Sequence, residues 1–94
     1  MCKTTEGRNR AYDRLSDILR GEVVTDRRAI FERDGDAIDL VAFFTVLNGT
    51  VGNLYEVHRD GDVERYDTIP YYGGMGNRKV MAMADVTCGY VERF

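Results

Sequence analysis

Tryptophan is absent from this chain of 94 residues, and there is one proline and one histidine. The single histidine, His58, excludes the common zinc sites that draw two or three imidazoles from one chain. Cysteine is scarce too: Cys2 and Cys88 stand at opposite ends and make no disulfide framework. Both are read as reduced thiols, in an intracellular, cytoplasmic protein. Long apolar runs are missing, since a stretch such as Leu40–Phe44 falls far short of the roughly 20 residues that span a bilayer. No secretory h-region follows Met1, so the Asn48-Gly49-Thr50 sequon is read as chance. A basic excess is missing as well. With 13 basic and 16 acidic residues the net charge is -3, which speaks against binding dominated by nucleic-acid phosphates. The near balance of signs also excludes an acidic nucleic-acid mimic. The length excludes a large α/β catalytic scaffold and predicts one small domain over residues 1–94 with a modest core.

What is present points to a folded chain. Leu, Ile, Val and Phe make up 23 of the 94 residues, about 24%, above the roughly 20% below which chains tend to be disordered. Among the basic residues only Lys3 and Lys79 are lysine. A GC-rich genome explains that bias, and bidentate recognition of carboxylate or phosphate is the functional alternative.

Residues 6–20 read as an amphipathic helix, with Ala11, Leu15 and Leu19 at i, i+4, i+8, joined by Tyr12 and Ile18. Thr4 or Thr5 can cap its start, and Gly21 suits the C′ position. After Gly21 the period changes. The tetrapeptide Arg-Asp-Gly-Asp occurs at 33–36 and again at 59–62, and Asp-Gly between alternating segments signals a hairpin with a type I′ turn. Centred on Asp34-Gly35, the first hairpin faces Phe31 with Ile38 and Ala29 with Leu40. One strand face then carries Ile38, Leu40, Ala42, Phe44 and Val46, and the other Ala37, Asp39, Val41, Phe43, Thr45 and Leu47. Centred on Asp60-Gly61, the second hairpin faces Tyr55 with Tyr66, Glu56 with Arg65 and Val57 with Glu64. A last strand is predicted from Val80, Ala82, Ala84, Val86, Cys88 and Tyr90, with a break near Asp85 or Gly89. Residues 26–47 can also be read as two short helices capped by Thr25 and Asp36, but their Val, Phe, Thr and Ile content favours strands. The predicted fold is α+β: an N-terminal helix on an antiparallel sheet of about five strands, two Asp-Gly hairpins plus a C-terminal strand.

The stretch Pro70–Lys79 is the most distinctive. Three glycines in four residues follow Tyr71 and Tyr72 and precede Arg78 and Lys79. Such a loop can cradle a phosphate in backbone N–H groups, with a tyrosine stacked on a base. The P-loop spacing is absent, and Gly74-x-Gly76 matches only the start of a dinucleotide fingerprint and leads into the predicted strand. Tyr, Met and Arg are enriched at protein interfaces, so a protein-contact loop competes with a plain connection. The second face of strand 37–47 is the other candidate, as apolar surface that one helix leaves uncovered. Partner-binding residues are therefore expected at Tyr71, Tyr72, Met75, Asn77, Arg78 and Lys79, with Val41, Phe43 and Leu47 on the spare face. His58 is read as an exposed strand-end histidine and Cys88 as a buried structural thiol. Asp34, Asp36, Asp39, Asp60 and Asp62 lack the EF-hand pattern and are read as turn formers. Met81 and Met83 suggest a second small core or an adaptable contact surface. No catalytic residue, metal or cofactor is expected.

In size, balanced charge and lack of a catalytic set, the chain resembles accessory proteins of phages and mobile elements, which include inhibitors of host defence such as anti-CRISPR proteins. The resemblance lies in the profile and in no motif. It implies a non-enzymatic protein-binding module that inhibits by occluding a partner surface. The spare apolar face of strand 37–47 adds a homodimer as an expectation, and the charge balance and short apolar runs predict no direct contact with nucleic acid or membrane. The alternative is a sequestering protein that binds a nucleotide or small phosphorylated ligand through Gly73–Lys79.

Overall fold

The structure, a computed structural model, describes residues 4–71 and 75–94. The chain runs α1 (Thr5–Ile18), β1 (Val24–Asp34), β2 (Ala37–Leu47), β3 (Val51–Val57), β4 (Val63–Pro70), α2 (Asn77–Met83) and β5 (Gly89–Arg93). The strands form one antiparallel sheet in the order β4-β3-β2-β1-β5, so the fold is α+β, as the sequence predicts. Thr4 caps α1 by accepting a hydrogen bond from the Gly7 N–H at 3.0 Å. The Ala11, Leu15 and Leu19 stripe lies on one sheet face with Ala29, Phe31, Leu40, Phe43, Tyr55, Val57 and Val63. On the opposite face Val80 and Val86 pack over Ile30, Ala42, Phe44, Val46 and Leu54.

The two Arg-Asp-Gly-Asp segments both turn the chain at the same end of the sheet, yet in different ways. In the first, Asp34 pairs with Ala37, so Gly35-Asp36 form the loop in place of Asp34-Gly35. Only Gly35 takes a positive φ, +60°. A turn with glycine first needs no left-handed aspartate, whereas type I′ demands positive φ at both positions. In the second, residues 58–62 make a longer loop closed by the His58 N–H on the Asp62 carbonyl at 2.8 Å. The pairing slips by one residue from the expected register: Val57 faces Val63, Glu56 faces Glu64 and Tyr55 faces Arg65. The slip buries Val63 beside Val57 under α1. Burying a valine is worth about 1.5–3 kcal/mol, and a cross-strand ion pair about 0.2–1 kcal/mol, so the core decides the register. A bulge then leaves Tyr66 unpaired between Arg65 and Asp67.

A second bulge corrects the faces of β2. Ile30 pairs with Ala42 and Phe31 with Leu40, so Val41 is the extra residue. Before it, Ile38 and Leu40 face α1; beyond it Phe43 and Leu47 do. Each β2 side chain after Val41 therefore changes sides relative to strict alternation. Phe43, expected on a spare outer face, is 0% exposed beneath α1.

The predicted last strand is also corrected. Its first half is helix α2, which buries Val80, and the break falls at Asp85, whose φ is +58°. The run Arg78-Lys79-Val80-Met81-Ala82-Met83 holds mostly good helix formers, and that propensity outweighs the period-2 pattern.

Candidate binding cleft

β4 and β5 are the two edges of the sheet, and the segment between them crosses the face opposite α1. It leaves β4 with the Tyr71 N–H donating to the Thr50 carbonyl at 3.0 Å. It is moored at mid-sheet by Arg28, whose guanidinium donates to the Met75 carbonyl and, at 3.1 Å, to Asn77 Oδ1. It enters β5 at the end where the two Asp-Gly turns lie, with Gly89 opposite Glu32. The crossing is thus diagonal. It leaves open the corner of this face where β3 turns into β4.

That corner holds a cleft of about 330 Å3, lined by Glu32, Val41, Ala42, Leu54, Tyr55, Glu56, Val57, Tyr66, Met83, Ala84 and Asp85. Ala42 and Leu54 are buried and form an apolar floor with half-buried Val41. Glu56, Asp85 and Tyr66 are exposed at the rim, Tyr66 at 61%. The alternation of β3 sends Tyr55 and Val57 into the α1-side core and Leu54 and Glu56 toward the cleft.

The expected contact residues divide. Tyr71 and Met75 are half-buried and pack on the core of this face, and Asn77 is taken up by Arg28. Arg78 and Lys79 are exposed on α2. Val41 lines the cleft, while Phe43 and Leu47 belong to the other core. Tyr72 lies outside the described residues. Of the polar and aromatic residues exposed at the cleft, Glu56, Tyr66 and Asp85 are not marked as a site by the sequence, and neither is half-buried Glu32. Met83 carries the one legible signal, through the reading of Met81 and Met83 as a second small core or an adaptable surface; Met81 packs on the core and Met83 lines the cleft. Tyr66 and Glu56 were hidden because the expected register paired them with Tyr55 and Arg65.

His58 and Cys88 do not meet. His58 follows β3 and has its Nε2 3.1 Å from Glu64 Oε2. Cys88 precedes β5, three strands away, or about 14 Å at the usual strand spacing. The thiol is exposed in the bend before β5, which corrects the buried reading that followed from a continuous strand. Among the described residues no three His, Cys, Asp or Glu side chains are grouped to hold a metal ion. No helix among them is long and apolar enough to cross a membrane. Gly76 opens α2, not the expected strand, but the sheet on either side is antiparallel, whereas a dinucleotide fingerprint needs a parallel βαβ unit.

No family model, curated protein or solved structure matches the chain. The cleft and its chemistry therefore carry the functional argument on their own.

Proposed function

We propose that the chain is a non-enzymatic protein-binding module that acts by covering the partner surface it binds. The observation that carries this reading is the open cleft, where an apolar floor of Val41, Ala42 and Leu54 sits between Tyr66 and Met83. Tyrosine and methionine are enriched where proteins meet, and an exposed aromatic beside a concave apolar floor suits an anchoring contact. The contact surface moves accordingly from the 71–79 loop to the cleft beside it, with exposed Arg78 and Lys79 on the neighbouring helix as rim. The test is capture with the full chain immobilised, comparing wild type with Tyr66→Ala and with Arg14→Ala, a residue of α1 on the far face. A partner retained by wild type and Arg14→Ala but lost by Tyr66→Ala supports the reading. A partner held equally by all three places the contact elsewhere and ends it.

Exposed Arg78 and Lys79 beside Gly76 favour a second reading, a phosphorylated ligand at Gly73–Lys79. Thermal-shift measurements with a nucleotide panel check it: a rise that Arg78→Ala abolishes supports the ligand, and a flat panel removes it.

A further inference from the structure

The cleft carries charge of one sign. Glu32, Glu56 and Asp85 line it, and its lining contains no lysine, arginine or histidine. None of the three carboxylates forms an ion pair among the described residues. Glu56 stands directly opposite Glu64 across β3 and β4, an arrangement of like charges that weakens a sheet and that nothing in the core requires of those side chains. Asp39 faces Glu32 across β1 and β2, so it lies on the same sheet face. It is 3% exposed, and its Oδ1 has no hydrogen-bond partner among the described residues. The nearest arginine in β4, Arg65, faces Tyr55 and therefore projects to the other side of the sheet. The cleft lining thus sets three carboxylates around an apolar hollow and contains no cation, while the cations nearest to it are Arg78 and Lys79 on α2 and His58, which is engaged with Glu64.

An occupant that complements both features has an apolar stem and a cationic head. We infer, resting on the protein-binding reading above, that the cleft takes an arginine side chain presented by the partner protein. Its methylenes lie along Val41 and Leu54, and its guanidinium sits among Glu32, Glu56 and Asp85. A guanidinium offers several donors in one plane, so it can satisfy more than one carboxylate, and its flat face stacks on an aromatic ring. Tyr66 presents such a ring at the rim. At about 330 Å3 the hollow is at the small end of ligand sites, which run from roughly 300 to 1,000 Å3, so it suits one side chain better than a large cofactor.

The test uses the full chain, isotope-labelled for amide NMR. It is titrated at low salt and up to millimolar concentration with a blocked Gly-Gly-Arg-Gly-Gly peptide and with its citrulline counterpart, which keeps the shape and loses the charge. The expected result is shifts confined to the amides of Val41, Leu54, Glu56, Tyr66 and Asp85, with the arginine peptide bound about tenfold more tightly, the ratio that one charge-assisted hydrogen bond supplies. Glu56→Gln, an isosteric exposed change, should weaken the arginine peptide about tenfold while leaving the rest of the spectrum in place. Equal binding of the two peptides, no binding of either, or shifts that map outside the cleft overturns the inference. If that happens while capture of a partner still depends on Tyr66, the protein-binding reading stands and only the arginine is lost. Light scattering on the same samples reads self-association: a monomer with and without Tyr66→Ala is expected. A dimer that Tyr66→Ala dissociates makes a second copy the occupant and also overturns the inference.

Discussion

Arg28 and Asp26, two residues apart on one face of β1, form an ion pair of 2.7 Å, with Arg28 1% exposed. Both Arg28 Nε and Nη2 reach the same oxygen, Asp26 Oδ2, while Arg93 Nε of β5 lies 3.4 Å from Oδ1. The pair fixes the guanidinium so that its remaining nitrogen meets the Met75 carbonyl and Asn77. One buried arginine therefore decides where Met75 and α2 lie, and with them which corner of the sheet stays open.

Replacing Arg28 with leucine should cost about 3–5 kcal/mol, because it leaves Asp26 with only the exposed Arg93 and leaves the Met75 carbonyl without its Arg28 donor. Asp26→Asn keeps one acceptor but leaves a buried cation unpaired, and should cost less than Arg28→Leu because Arg28 retains its contacts to Met75 and Asn77. Urea denaturation gives both values. Hydrogen exchange discriminates the mooring role: the α2 amides should lose protection in Arg28→Leu before those of α1 do. Uniform loss of protection would show that Arg28 supports the sheet without locating the crossing.

The repeated tetrapeptide provides a comparison within one molecule. Gly35 and Gly61 both have positive φ, +60° and +90°. An alanine there costs about 1–2 kcal/mol from backbone strain alone. Gly35 has open space around it, but a Cβ on Gly61 would stand 2.8 Å from the Gly7 carbonyl oxygen and 3.0 Å from Arg10 Cβ. The second turn is docked on α1, where Arg10 also donates to the Asp60 carbonyl at 3.0 Å. Gly61→Ala should therefore lower stability by clearly more than Gly35→Ala, read as the difference in melting temperature. Equal losses would mean that the docking contributes nothing.

The second strand shows what was legible in the sequence and what was not. Its existence, its direction and its pairing with β1 followed from alternation and the Asp-Gly signal. The bulge at Val41 did not, because no glycine or proline marks it, and one extra residue turns every later side chain to the opposite face. The candidate site inherited that error. A spare face read from strict alternation placed Phe43 outside, and the register of the second hairpin hid Tyr66 and Glu56. The consequence is measurable. Phe43→Ala should cost about 3–5 kcal/mol, as a core truncation does. Val41→Ala, at a half-buried cleft position, should cost about 1 kcal/mol or less. Comparable costs would restore the alternating face.

A pH dependence follows from the helix side of the sheet. The Tyr12 ring lies 5.2 Å from that of Phe43 and 5.0 Å from that of Phe94, centroid to centroid. Burial raises its phenol pKa above the ordinary 10.0, the Glu92 carboxylate adds to the rise, and Arg8 opposes it. The folded state thus favours the neutral phenol. A raised folded-state pKa gives a contribution that is complete below the unfolded value of 10.0 and is lost as pH climbs from there through the folded value, because the unfolded chain releases its proton first. Wild type should therefore lose stability above pH 10 faster than Tyr12→Phe, which packs the same ring against Phe43 and Phe94 with no proton to lose. The measurement is the difference between the two proteins in urea midpoint, in which every titration they share cancels. That difference should be constant from neutral pH to about 9 and then shift in favour of the phenylalanine variant, whereas parallel curves to pH 11 would show that Tyr12 titrates alike in both states.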